Sequence, residues 1–313
     1  MTVAAVLIAF AIGVGTLGSA LLARARWTAR APLLAIVTYL AAEWSVVAAL
    51  GLAGLTLAIH ATALGGGLSH LIGACVLRLR ETYGTPGGAT VAAIGLTLAG
   101  AVAARTVLTA MTHLRSAGQQ ALLHAETARL VGRPEPSLGA VLVEHSDPVA
   151  YCVAGRHPTV ILSTGAVQAL EPAQLSAVLA HERAHLTGRH HRLLALARIG
   201  RLVLPFLPLM RDADAQVARL VEMHADDAAA RAGDPRSLAT ALVVLATGTS
   251  PAPALAASAT DSVQRIRRLL LPAEPLGRAR RRLLRATAAS LAVTPVLLAL
   301  APAMLALALG RVA

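Results

Sequence analysis

The chain alternates between long apolar runs and stretches where polar residues recur at a regular spacing. Val3 to Leu22 carries no charge and is long enough to cross a bilayer as a helix. Leu33 to Leu57 is a second such run, interrupted by Glu43, and Ala89 to Ala104 is a third, extended by Arg105 reaching to the surface. Ala286 to Leu309 is the last, and Pro295 and Pro302 are expected to kink it. Arg24, Arg26 and Arg30 follow the first run, and Arg278, Arg280, Arg281, Arg282 and Arg285 precede the last. Arginines flanking apolar spans stay on the cytoplasmic side, so both groups are expected inside and both chain ends outside. Residues 61–88 are expected to form an outer loop with a membrane-lying helix. Glu43 inside a span is either functional or a residue near the interface or paired between helices.

Between the third and fourth runs the pattern becomes that of a soluble domain beginning near Thr112. Ala117–Val131 reads as a helix ended by Gly132, with Pro134 and Pro136 as breakers. Short strands are expected at Ala140–Glu144, Val149–Val153 and Thr159–Leu162, with a turn at 155–158. The β-stretch Pro158–Leu170 leads into a helix that Glu171-Pro172 begins and Gly188 can end. A free strand edge in this small sheet could take an extended peptide as an added strand. Leu193 to Met210 is apolar but broken by Arg198, Arg201, Pro205 and Pro208, which suits a membrane-surface helix or a hairpin dipping into the bilayer. A helix over Asp212–Ala230, another over Arg236–Ala246, a linker at 250–257 and an amphipathic helix over Ser262–Leu271 complete the region. The expected fold is a mainly α membrane protein with about four transmembrane helices and an α+β domain containing a small sheet. Its expected parts are a membrane domain at 1–111, with spans near 3–22, 33–57 and 89–105, a cytoplasmic domain at 112–280, and a last helix at 281–313.

Composition agrees with a membrane location. Of 313 residues 56% are hydrophobic and 14% charged, too apolar for an ordinary soluble enzyme. Every basic residue behind the net charge of +12 is arginine, and the richness in arginine and alanine points to a GC-rich bacterial genome. Direct nucleic-acid binding is not expected, because aromatics are 2% and the arginines sit beside apolar spans. The expected location is a bacterial plasma membrane, with lipids as partners. Cys75 and Cys152 fall on opposite sides of the membrane in this layout and do not pair; Cys152 reads as a small core residue.

The candidate chemistry lies in His181-Glu182-Arg183-Ala184-His185. Histidines four apart on a helix share a face and can hold one metal ion. Glu182 stands beside them without needing to bind, the place of the general base in the H-E-x-x-H zinc hydrolases. A catalytic zinc usually has three protein ligands and one open position. Glu222 and Asp226 share a face of the downstream helix, so Glu222 can complete a His2Glu set and Asp226 can hold a ligand histidine through its other ring nitrogen. His224 is the competing ligand. His190 and His191 read as a solvated helix end.

HERAH followed by E-x-x-A-D, Glu222 to Asp226, resembles the gluzincin metallopeptidases of families M48 and M56. The late Arg265–Leu270 segment, RIRRLL, is also similar to M56 members, the bacterial antibiotic-sensing signal transducers. The resemblance implies one Zn2+ per chain held by His181, His185 and Glu222, with Glu182 as catalytic base. It also implies a protein or peptide substrate. His224 and Tyr151 are both candidates for stabilising the oxyanion. Three functions are open. The first is a membrane zinc endopeptidase cleaving a cytoplasmic repressor-type regulator, or itself, in signalling. The second is an M48-type membrane-protein quality-control or processing protease. The third is a non-catalytic scaffold or transducer. Those transducers carry an extracellular ligand-binding domain after the last span, and this chain stops there, so any signal is expected through short loops or a partner.

Overall fold

The computed structural model describes residues 2–58, 88–155, 157–248, 255–271 and 274–310. The expected outer loop at 61–88, with Cys75, lies outside them apart from Gly88, and so does most of the linker at 250–257; residues 255–257 are helical. Four helices are long and apolar enough to cross a membrane: α1 (Thr2–Ala23), α2 (Pro32–Ala58), α3 (Gly88–Val131) and the start of α10 (Arg278–Gly310), as far as Pro302. A short π-helical segment, Val14–Gly18, lies within α1.

α2 is the hub of the apolar bundle. Over half of its most apolar window, 56%, is buried, against 22% for α1 and 11% each for α3 and α10. Around its buried face gather α1, α3, α6 (His190–Val203), α7 (Pro208–Ala232) and α10. Ile36, Tyr39 and Val46 of α2 form one core with Leu7 of α1 and with Leu209, Val217 and Leu220 of α7. Glu43 is fully buried among them, with no hydrogen-bond partner for either carboxylate oxygen, and its side chain lies against Gly200 of α6. Among the described residues no partner from another helix pairs with it.

Two separate expectations merge in α3. The third span and the helix at 117–131 form one helix of 44 residues, about 66 Å long at 1.5 Å per residue. No proline or glycine falls between Arg105 and Ala117, so nothing ends the helix where the polarity changes. Its first half packs on α2, and Ala125 and Ala128 near its end pack under the sheet against Val153 and Ile161. Arg105 reaches across from this helix to the last carbonyls of α6, donating to Leu202 and Val203 oxygens at 2.8 and 2.6 Å. The expected apolar segment at 193–210 is therefore two helices joined by a short turn, α6 packed on α2 and α3, with Leu207 of the turn against Gly15 of α1.

The sheet has four strands in the order β1-β2-β4-β3, with β1 Arg133–Glu135, β2 Ala140–Val143, β3 Ala150–Val153 and β4 Thr159–Ser163. The pair β2–β4 is parallel and the outer pairs are antiparallel. β1 includes Pro134, read from sequence as a breaker. It is tolerated because β1 is an edge strand and needs donors on one side only. The expected β-stretch to Leu170 stops at Ser163, whose hydroxyl accepts from the Ala166 N–H and caps α4 (Thr164–Ala169). The sheet, α4, α5 (Pro172–Thr187) and α8 (Pro235–Gly248) share a second core around Leu142, Leu162 and Val178. α9 (Leu255–Leu270) packs on α7 and α8.

Candidate metal centre

α5 begins at Pro172, where a missing N–H costs nothing, and the Gln174 side chain accepts from the Glu171 N–H at 3.1 Å. The helix holds His181 and His185 one turn apart. Their Nε2 atoms are 3.1 Å from each other. Glu222 of α7 closes the group, with its carboxylate oxygens 3.5 Å from each Nε2. One donor atom from each of the three residues falls within a 4.8 Å cluster, the dimensions of a cation site. Two imidazole nitrogens and a carboxylate on one side of a cleft fit a tetrahedral zinc ion with an open fourth position.

The far ring nitrogens are held as well. Asp226 Oδ1 lies 3.0 Å from His181 Nδ1; the contact is off the N–H axis, so it acts as charge pairing more than as an aligned hydrogen bond. Behind His185 its Nδ1 is 3.1 Å from His190 Nδ1, and His190 Nε2 is 2.9 Å from His224 Nδ1. If Nε2 of His185 faces a metal, its Nδ1 must carry the proton and donate to His190, which then donates onward to His224. His190 is fully buried in this relay, not at a solvated helix end. Gly188 makes room for it, since a Cβ there would strike the His190 ring. Gly188 itself is right-handed (φ −73°), and the left-handed turn falls on Arg189 (φ 50°). His224 is thus separated from the donor group by His190 and joins it neither as a ligand nor as a group facing the cleft.

Arg265 of α9 locks the rear of the site. Its guanidinium donates to both Asp226 oxygens at 2.7 and 2.8 Å and lies 3.0 Å from Glu222 Oε2. Burial would raise the Asp226 pKa, but Arg265 and His181 hold it down at about 2. Burial disfavours the His181 cation, yet Asp226 and Glu222 outweigh it and raise its pKa to about 9. His190 is pushed down to about 4 by burial and the neighbouring histidines. Burial lifts the Glu182 carboxyl above its ordinary value, against the pull of His181, and so suits it to exchanging protons. Cys152 of β3 lies beside Glu182, and burial together with that carboxylate pushes its thiol up to about 12.

β3 is the sheet edge beside α5, paired only with β4 among the described residues. A cavity of about 620 Å³ lies between α3, β3 and α6, lined by Leu114, Gln120, Tyr151, Cys152, His185 and His191. Tyr151, half-exposed, therefore shares a cleft with His185. Sequence reasoning assigned no role to His190 or Arg265. The RIRRLL segment was the available signal for Arg265, but nothing in its spacing said which arginine turned inward.

Residues 115–211 match the model of Peptidase family M48. The matched region contains the sheet and the His181–His185 helix and stops before Glu222. No curated protein and no solved structure matches the chain. The family match and the His–His–Glu group together support a metallopeptidase.

Proposed function

We propose that the chain is an integral-membrane zinc endopeptidase that cleaves a cytoplasmic regulator, or itself, in signalling. The observation that carries the peptidase reading is the convergence of His181, His185 and Glu222 from two helices, with Glu182 beside them and Asp226 behind. Bound zinc would activate water and polarise the scissile carbonyl. Glu182 takes a proton from the attacking water and delivers it to the departing amine. Asp226 and His190 hold the two histidines with Nε2 forward. Tyr151 is the candidate for the oxyanion, because it lines the cleft with His185. An extended substrate adds to the free edge of β3, which runs beside the α5 helix.

The cytoplasmic orientation is supported by Arg30, Arg281 and Arg285, which border one cavity at the end of the bundle where His224 and Asp227 also lie. The signalling role and an M56-type assignment rest on the sequence resemblance alone. A quality-control or processing role is favoured by a separate observation, the match to the M48 model. A scaffold with a relic site is disfavoured, since such a site would need ligands but no base.

The test is detergent-purified protein against its Glu182→Ala variant, with and without a chelator, following casein and self-cleavage. Cleavage is expected from the wild type only, abolished by chelation, with zinc retained by the variant; losing a general base costs typically about 10²–10⁴-fold. Full activity of Glu182→Ala would overturn the assignment. Cleavage of misfolded membrane substrates without an inducer would select the quality-control role.

A further inference from the structure

A second cavity, about 360 Å³, lies on the other side of His224 from the metal ligands. Its walls are the turn ending at Arg30, the first turns of α2 and the start of α10. Arg30, Arg281 and Arg285 border it. Arg281 and Arg285 are four apart and share one face of α10, while Arg280 and Arg282 point elsewhere. None of the three lining guanidiniums has an acidic partner within ion-pair distance among the described residues. The one carboxylate at the cavity, Asp227, is already engaged by Arg268 at 2.6 Å. Apolar side chains line the same cavity: Leu33 and Val37, also four apart, are 47% and 46% exposed along α2.

Unpaired positive charge beside an exposed apolar stripe matches an amphiphile with an anionic head. A diffuse retention signal would need arginines near the span, but not three from two segments around one cavity. We propose that this cavity binds one anionic membrane phospholipid, its phosphate held by Arg30, Arg281 and Arg285 and its first acyl carbons lying on Leu33 and Val37. The site goes beyond the peptidase reading and is independent of it. It rests on α2 and α10 being membrane spans.

The test uses delipidated full-length protein in detergent. Native mass spectrometry follows titration with phosphatidylglycerol, with phosphatidylcholine of the same chains, and with inorganic phosphate alone. One phosphatidylglycerol is expected to bind at least about tenfold more tightly than phosphatidylcholine. The Arg281→Gln/Arg285→Gln variant, and separately Arg30→Gln on the facing wall, should lose that preference. The Arg280→Gln/Arg282→Gln variant should keep it. Equal loss in both double variants would mean diffuse surface charge and overturn the site. So would a wild type without headgroup preference. Inorganic phosphate binding as tightly as the lipid would make this a free-phosphate site and overturn the lipid assignment. All four arginines of the double variants are exposed, and unchanged thermal unfolding checks that each variant is folded.

Discussion

Arg265 is the residue on which the charge balance of the metal centre turns. Without it, buried Asp226 would face only one histidine. Arg265→Met should therefore destabilise the protein by about 3–5 kcal/mol, the cost of leaving a buried charge unpaired. Asp226→Asn in the same chain should recover a large part of that loss, a coupling read from thermal unfolding of the two single variants and the double. Asp226→Asn alone should weaken zinc binding by roughly 10- to 100-fold, measured by competition with a chelating dye, because His181 loses its orienting partner. Proton linkage offers another measurement. The His181 pKa is raised to about 9, so in metal-stripped protein its proton is on below that pH. His185 and Glu222 are shifted down and are already deprotonated at neutral pH. Zinc uptake should then release close to one proton from the ligand set near neutral pH and tighten as pH rises toward 9. Calorimetry in buffers of different ionisation heat measures the released proton, and a count near zero would rule out the charge pairing of His181 with Asp226 and Glu222. The pairing of His181 with His185 and of Glu222 with Asp226 was legible in the sequence because a spacing of four on a helix dictates a common face. His190 and Arg265 were not, because they reach the site from other helices and no spacing relates them to it.

At the scale of elements, most helix boundaries follow from local rules. Pro172 and Pro235 sit where sequence alone puts helix beginnings, whereas α7 starts at Pro208, four residues before the expected Asp212, and α10 at Arg278, three before the expected 281. The failures share one cause, a local signal outweighed or completed by a neighbour. Pro134 is tolerated in β1 because β2 pairs with only one side of that strand. The change of polarity after Arg105 was read as a domain border, yet the backbone continues because helical hydrogen bonds are indifferent to which solvent the side chains face. α3 and α2 approach closely where Gly54 meets Gly95: a Cβ on Gly95 would lie 2.5 Å from the Gly54 carbonyl oxygen. Small residues let helix backbones meet in this way in membranes. Gly95→Val should push the two helices apart and cost about 1–3 kcal/mol, the range for overpacking, seen as a lower unfolding temperature in detergent. Gly100→Val in the same helix, where a Cβ meets nothing within 4 Å, should cost much less and serves as the control.

For the whole molecule, the candidate metal group joins two cores. His181 and His185 ride on α5, whose neighbours are the sheet and α8, while Glu222 rides on α7, which is embedded in the bundle around α2. A metal held by both helices would fasten the soluble part to the membrane part. Removing zinc should then lower the unfolding temperature by roughly 5 °C or more, as expected when a ligand well above its dissociation constant is withdrawn from the folded state. Glu182→Ala should show the same shift, since it removes the base and leaves the ligands; Glu222→Gln should show a reduced one. By itself the sequence determined four apolar spans, a mostly helical chain, the three short strands after residue 140 and the His181, His185, Glu222 and Asp226 constellation, because length, period and spacing are local quantities. Only the tertiary structure decided that β3 is the free edge beside α5, that Glu43 is sealed against Gly200, that His224 stands behind His190, and that Arg265 closes the rear of the site. These are contacts between segments far apart in the chain, set by how apolar faces of unequal shape fit together.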